Sequence, residues 1–115
     1  MFVDVDYPQL IGKKRDRMLL HDALRNALLR TNLRPSELPV FVRSDRYMAL
    51  GCDLRNLGQM ETLLQAEIDL ARSSVLFVAE VSLTYMPVTD SDALLAWAST
   101  LEDGKNFVHI FLKQA

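Results

Sequence analysis

Acidic side chains stand where three strand-like runs stop: Asp4 and Asp6 in Val3-Asp4-Val5-Asp6-Tyr7, Asp53 after Tyr47-Met48-Ala49-Leu50-Gly51, and Glu80 after Val75-Leu76-Phe77-Val78-Ala79. A carboxylate at the end of the first run can accept hydrogen bonds from two vicinal hydroxyls, the way nucleotide-binding α/β proteins hold a ribose. Asp6 is the candidate, and Asp4, on the same side of the strand, is the alternative. Asp53 could accept from an adenine exocyclic amine while Leu54 offers its backbone and an apolar contact. Glu80 could face a cationic group such as an amino-acid ammonium, where a charge-assisted hydrogen bond is roughly twice as strong as a neutral one. Acids also end strands because loops are wet, so a purely solvated role stands beside the nucleotide pocket.

Other reactive residue types are sparse. His21 and His109 have no acid or cysteine at ligand spacing, which disfavours a metal site, and the single cysteine, Cys52, permits neither an internal disulfide nor a cysteine metal cluster. Lys13, Lys14, Arg15 and Arg17 form a basic cluster that could meet RNA phosphates or simply solvate a helix face. Charge is uneven along the chain: residues 1–46 carry nine Lys and Arg against six acids, and residues 47–115 four against nine.

The elements that must position these groups follow from apolar periodicity. Residues 2–7 read as a strand closed by Pro8, and Leu20, Leu24, Ala27 and Leu28 form one stripe of a helix that ends before Pro35 and Pro39. Residues 32–45 read as connection and 47–51 as a strand. Leu57, Met60, Leu64, Ile68 and Ala71 mark a second helix, and 75–79 is an apolar run suited to a strand covered on both faces. Thr89 with Asp92 resembles a helix-start capping pair, Leu94, Trp97, Ala98 and Leu101 give a third stripe, and 107–112 reads as a fourth strand. The methionines and Trp97 fall on these stripes as core. Strand and helix alternate throughout, which calls for a mostly parallel α/β sheet with helices on both faces, and in such sheets ligands sit beyond the carboxyl ends of the strands.

With 115 residues, half of them hydrophobic and 24% charged, one soluble domain is the ceiling. No apolar run reaches the roughly 20 residues of a membrane span. The start, Met1-Phe2-Val3-Asp4, lacks the features of a signal peptide, so a cytoplasmic location is expected.

Four stretches taken in order, Val3-Asp4-Val5-Asp6-Tyr7-Pro8, Gly51-Cys52-Asp53-Leu54-Arg55-Asn56-Leu57, Val78-Ala79-Glu80-Val81-Ser82-Leu83-Thr84-Tyr85-Met86 and Leu95-Ala96-Trp97-Ala98, resemble the leucine carboxyl methyltransferase family. The third looks more like its branch acting in tRNA wybutosine synthesis than the branch that methylates the carboxyl terminus of protein phosphatase 2A. The resemblance implies a Rossmann-like S-adenosylmethionine-dependent methyltransferase fold. It implies that Asp6 holds the cofactor ribose, that Asp53 and Leu54 hold the adenine, that Glu80 lies beside the methionine end and that Tyr85 lines the substrate side. The acceptor implied is a carboxylate, on the modified base of phenylalanine tRNA in the wybutosine branch, with methoxycarbonylation as a further step. A carboxylate is already a nucleophile and needs no general base, so no catalytic residue is assigned.

Family members begin with a longer segment that carries a Gly-rich turn after a strand lying mid-sheet. This sequence resembles the family from its second strand onward, so it is expected to be a fragment of one methyltransferase domain lacking the central strand. The strands at 2–7 and 75–79 would then expose unpaired edges or pair with each other, completion would need a further segment or a partner strand, and the isolated chain is expected to bind S-adenosylmethionine poorly and to be inactive. A protein carboxyl methyltransferase and a non-catalytic α/β remnant are the alternative readings.

Overall fold

The computed structural model describes residues 1–79, 86–101 and 106–112. Its elements are β1 (Phe2–Asp6), α1 (Pro8–Leu20), α2 (Asp22–Arg30), β2 (Val40–Arg43), β3 (Tyr47–Gly51), α3 (Leu57–Glu67), β4 (Ser73–Ala79), α4 (Val88–Ser99) and β5 (Asn106–Leu112), with a 3-10 turn at Leu70–Arg72 leading into β4.

Local chemistry sets the boundaries. Pro8 opens α1 at a position whose N–H would lack a helical partner, so the chain turns from strand to helix at no hydrogen-bond cost. Asn32 closes α2 in the left-handed region with φ 61°, which Asn tolerates better than most residues. Asn56 caps α3 by accepting the backbone N–H of Gln59 at 3.2 Å.

The sheet runs β2-β3-β1-β5-β4. β3, β1, β5 and β4 are mutually parallel, and β2 lies antiparallel on the edge beside β3. The carboxyl ends are level, because Asp6 pairs with Gly51 while Val5 and Ala79 both pair with Leu112. Side-chain alternation then divides the molecule. Val3, Val5, Met48, Leu50, Ile110 and Leu112 point to one face and form the larger core with Met60 and Leu64 of α3 and Leu94 of α4. Ala49 points to the other face, packing with Ile11 of α1, Leu28 of α2 and Val42.

Four strands and the mostly parallel arrangement match the periodicity. Several details differ. The run at 75–79 is not covered on both faces, since Leu76 is 55% exposed, and the second helix ends at Glu67, which leaves Ala71 exposed in the 3-10 turn. β2 forms inside the stretch read as connection. The expected first helix is two helices, broken at His21, whose ψ of 114° is extended. That break rotates Leu20 and Leu24 into solvent, at 82% and 47% exposure, so Leu28 alone of the expected stripe is buried. Finally, Pro87 rather than Thr89 stands at the N-cap of α4, with no side-chain capping bond.

The expected gap beside β1 is closed differently from either expectation: β5 lies between β1 and β4, so those two strands neither pair nor face each other across a vacancy. This placement has a topological signature. The connection from β1 to β3 steps toward the β2 edge through α1 and α2 on one face, and the connection from β3 to β4 steps back through α3 on the opposite face, so the two share a hand. The connection from β4 to β5 again steps toward the β2 edge, yet α4 packs on the α3 face, giving it the opposite hand. Parallel crossovers are right-handed in about 98% of cases, so one hand among the three is exceptional.

Candidate functional site

β1 and β3 deliver two of the predicted acids to one end of the sheet. Asp6 is the last residue of β1, half-buried, and Asp53 follows β3 by two residues. The backbone joins the two segments there, since Cys52 N–H donates to the Asp6 carbonyl at 2.9 Å. One carboxylate oxygen of Asp6, Oδ1, accepts the N–H of Tyr7 at 2.7 Å, which fixes the side chain at the strand end.

Asp4 is not an equivalent alternative. It is 3% exposed, its Oδ2 accepts the Tyr47 hydroxyl at 3.0 Å, and it is ion-paired with Lys14. Burial, reinforced by the neighbouring Asp4 charge, pushes the Tyr47 phenol well above its ordinary range, so the hydroxyl stays a donor. Asp4 is thus part of the packing between β1, β3 and α1, and Asp6 is the half-buried acid at the strand end.

Asp53 sits in a tight loop held by its own neighbours. Its Oδ1 accepts the backbone N–H of Arg55 at 2.9 Å, and the guanidinium closes on the carboxylate with Nε to Oδ1 at 3.0 Å and Nη2 to Oδ2 at 2.6 Å. The side-chain hydrogen bonds from Arg55 hold the Asp53 carboxyl below the usual carboxylate range.

Leu54 departs from expectation in one respect. Its side chain is 0% exposed and belongs to the larger core, so its apolar surface is buried in the protein rather than offered to a ligand. Glu80 and Tyr85 lie outside the described residues. Sequence reasoning also passed over Arg55 and Tyr47. An Asp-x-Arg spacing inside a strand-to-helix loop was the available signal for Arg55, whereas nothing local linked Tyr47 to Asp4, which lies 43 positions away.

The basic cluster separates into two pairs. Lys14 is spent on Asp4, and Arg15 bonds Asp16 and lies over the Phe41 ring, 5.2 Å from its centroid. Lys13 and Arg17 instead border a cavity of about 340 Å³ lined by Asp4, Asp6, Leu10, Lys13, Lys14 and Arg17. Among the described residues, no group of three or more His, Cys, Asp or Glu is arranged to hold a metal ion. No described helix is long and apolar enough to cross a membrane.

A mostly parallel sheet with level carboxyl ends and helices on both faces defines an open-sheet α/β protein. Residues 1–99 match the model of the leucine carboxyl methyltransferase family, and the chain belongs to that family, whose fold is that of the S-adenosylmethionine-dependent methyltransferases. It is 41% identical to "tRNA wybutosine-synthesizing protein 4" of Aspergillus fumigatus over 92% of its length and 44% identical to the Gibberella zeae protein of that name over 86%. The Candida albicans protein of the same name is 33% identical over 74% of the chain. The chain spans about a tenth of the Aspergillus and Gibberella proteins and 13% of the Candida one.

Proposed function

We propose that this chain forms the ribose- and adenine-binding part of an S-adenosylmethionine-dependent carboxyl methyltransferase that acts in the cytoplasm on wybutosine-precursor phenylalanine tRNA. The observation that carries the reading is the pairing of Asp6 with Gly51 at the sheet's carboxyl end, which sets a half-buried carboxylate next to the Asp53 loop in a family of methyltransferases. The acceptor set suits a nucleoside: the Asp6 carboxylate can accept from the vicinal hydroxyls, and Asp53 can accept from an exocyclic amine. Bound S-adenosylmethionine supplies an electrophilic methyl group. The chain's part is to bind and orient it and to keep water away, since a carboxylate acceptor needs alignment rather than deprotonation. Glu80 facing the methionine ammonium and Tyr85 facing the acceptor complete this reading.

The names of the fungal relatives favour tRNA over a protein carboxyl terminus as acceptor. The test is a chimera in which residues 1–99 replace the matching region of the Aspergillus fumigatus protein. It is expected to transfer labelled methyl to wybutosine-precursor tRNA and not to phosphatase catalytic subunit, with Asp6→Asn raising the KM for S-adenosylmethionine at least ten-fold, as loss of a charge-assisted bond of about 1.5–3 kcal/mol requires. Transfer to the phosphatase alone, or an unchanged KM in the Asp6 variant, would reject it.

A further inference from the structure

Lys13 and Arg17 are one helical turn apart on α1, so their side chains share one face at about 5–6 Å between Cβ atoms. Like charges at this spacing destabilise a helix by a few tenths of a kcal/mol unless an anion lies between them. Both are exposed, and among the described residues neither has a carboxylate partner, although Lys14 and Arg15 in the same turn are both engaged. The cavity they border is also lined by Asp4, Asp6, Lys14 and the exposed Leu10, three cations against two carboxylates. With Lys14 paired to Asp4, Lys13 and Arg17 leave one positive charge in excess of Asp6, which favours a phosphate-bearing ligand over a neutral nucleoside.

We propose that Lys13 and Arg17 hold neighbouring phosphodiester groups of an RNA strand, making this face of α1 an RNA-docking surface next to the cofactor acid. The inference deepens the tRNA reading and rests on it for the identity of the polyanion. Lys13 contributes a mobile point charge and Arg17 a planar fork that matches two phosphate oxygens. Lys14 is not part of the surface, because withdrawing it would leave Asp4 as a buried, uncompensated charge.

The experiment is fluorescence anisotropy of a labelled oligouridylate titrated with the 115-residue chain across a series of salt concentrations. Each single-strand phosphate contact contributes about 0.7 to the slope of log K against log salt, so Lys13→Gln/Arg17→Gln is expected to flatten the slope by about 1.4. Arg30→Gln/Arg46→Gln, which removes the same charge away from the cavity, is expected to leave the slope alone. Both pairs are exposed, and circular dichroism confirms that the variants remain folded. Equal flattening by the two double variants, no flattening by the first, or no salt-dependent RNA binding by the unaltered chain would each overturn the proposal. The cofactor reading is probed separately by Asp6→Asn in the chimera, so the two can fail independently.

Discussion

A lone thiol between two strand-end acids shows how the site constrains its own chemistry. Cys52 is buried at the end of β3, its thiol 3.4 Å from the Asp53 carbonyl, and burial, then the Asp53 charge, pushes its pKa up to about 11. The thiolate is the reactive form, so the native protein is expected to react with iodoacetamide far more slowly at pH 8 than an unfolded control does, with a rate that climbs toward pH 11. The linkage has the corresponding sign. A raised folded-state pKa favours the protonated native state, so this contribution is fully present below the thiol's ordinary value near 9 and is lost as pH rises through about 11. Urea midpoints at pH 8 and pH 10.5 should therefore differ less for Cys52→Ala than for the unaltered chain. An equal difference in both would show that the thiol is not the titrating group. Asp53 has the opposite sign, stabilising above its ordinary value and losing that contribution as pH falls, but its pair with Arg55 is solvent-exposed and screened, so the contribution is small.

Strands and helices explain which parts of this geometry could be read in advance. β1, β4 and β5 are rich in β-branched and aromatic residues, β3 is a short apolar run, and the acids at the ends of β1 and β3 follow from where those runs stop. β2, Val-Phe-Val-Arg, has strand-prone residues with alternating burial, but four residues between Pro39 and Ser44 are too few to stand out from a connection. The break at His21 carries no Pro or Gly, so the amphipathic stripe seemed continuous through it. Partner choice was equally hidden, since only the folded sheet shows that Lys14 and Tyr47 engage Asp4. Gly51 links element to site. A Cβ there would meet the Phe41 ring at 2.5 Å and the Pro8 backbone at 3.0 Å, because the end of β3 and the start of α1 come together beside Asp6. Gly51→Ala is therefore expected to lower stability by about 1–3 kcal/mol in urea denaturation, the usual cost of overpacking. A neutral result would mean that Phe41 turns aside freely and that the strand ends are not tightly joined.

At the scale of the whole chain, the arrangement that joins Asp6 to the Asp53 loop also limits what the chain does alone. The cavity reached by Asp6 is lined by α1 and β1 and does not include Asp53, whose carboxylate oxygens are both held by Arg55. A nucleoside that uses both acids must therefore share Asp53 with Arg55 and bridge two separate rims. Beyond them, β5 fills the place beside β1 through a connection of opposite hand to its neighbours, and on the α1 side of the sheet Leu76 and Phe107 remain 55% and 75% exposed. A packing in which one half of the sheet is covered on a single face has not assembled a closed, water-excluding crevice, and burying 70% or more of a small ligand is the usual requirement for tight binding. Calorimetric titration of the 115-residue chain with S-adenosylmethionine is accordingly expected to show no dissociation constant in the micromolar range, weaker by at least 1.4 kcal/mol for every factor of ten lost. Arg55→Ala should improve adenosine binding by no more than about five-fold, since an exposed ion pair is all that it releases. A micromolar constant for the unaltered chain would show that Asp6 and Asp53 already converge on one ligand without any rearrangement of β5, and the incomplete-crevice argument would then be wrong.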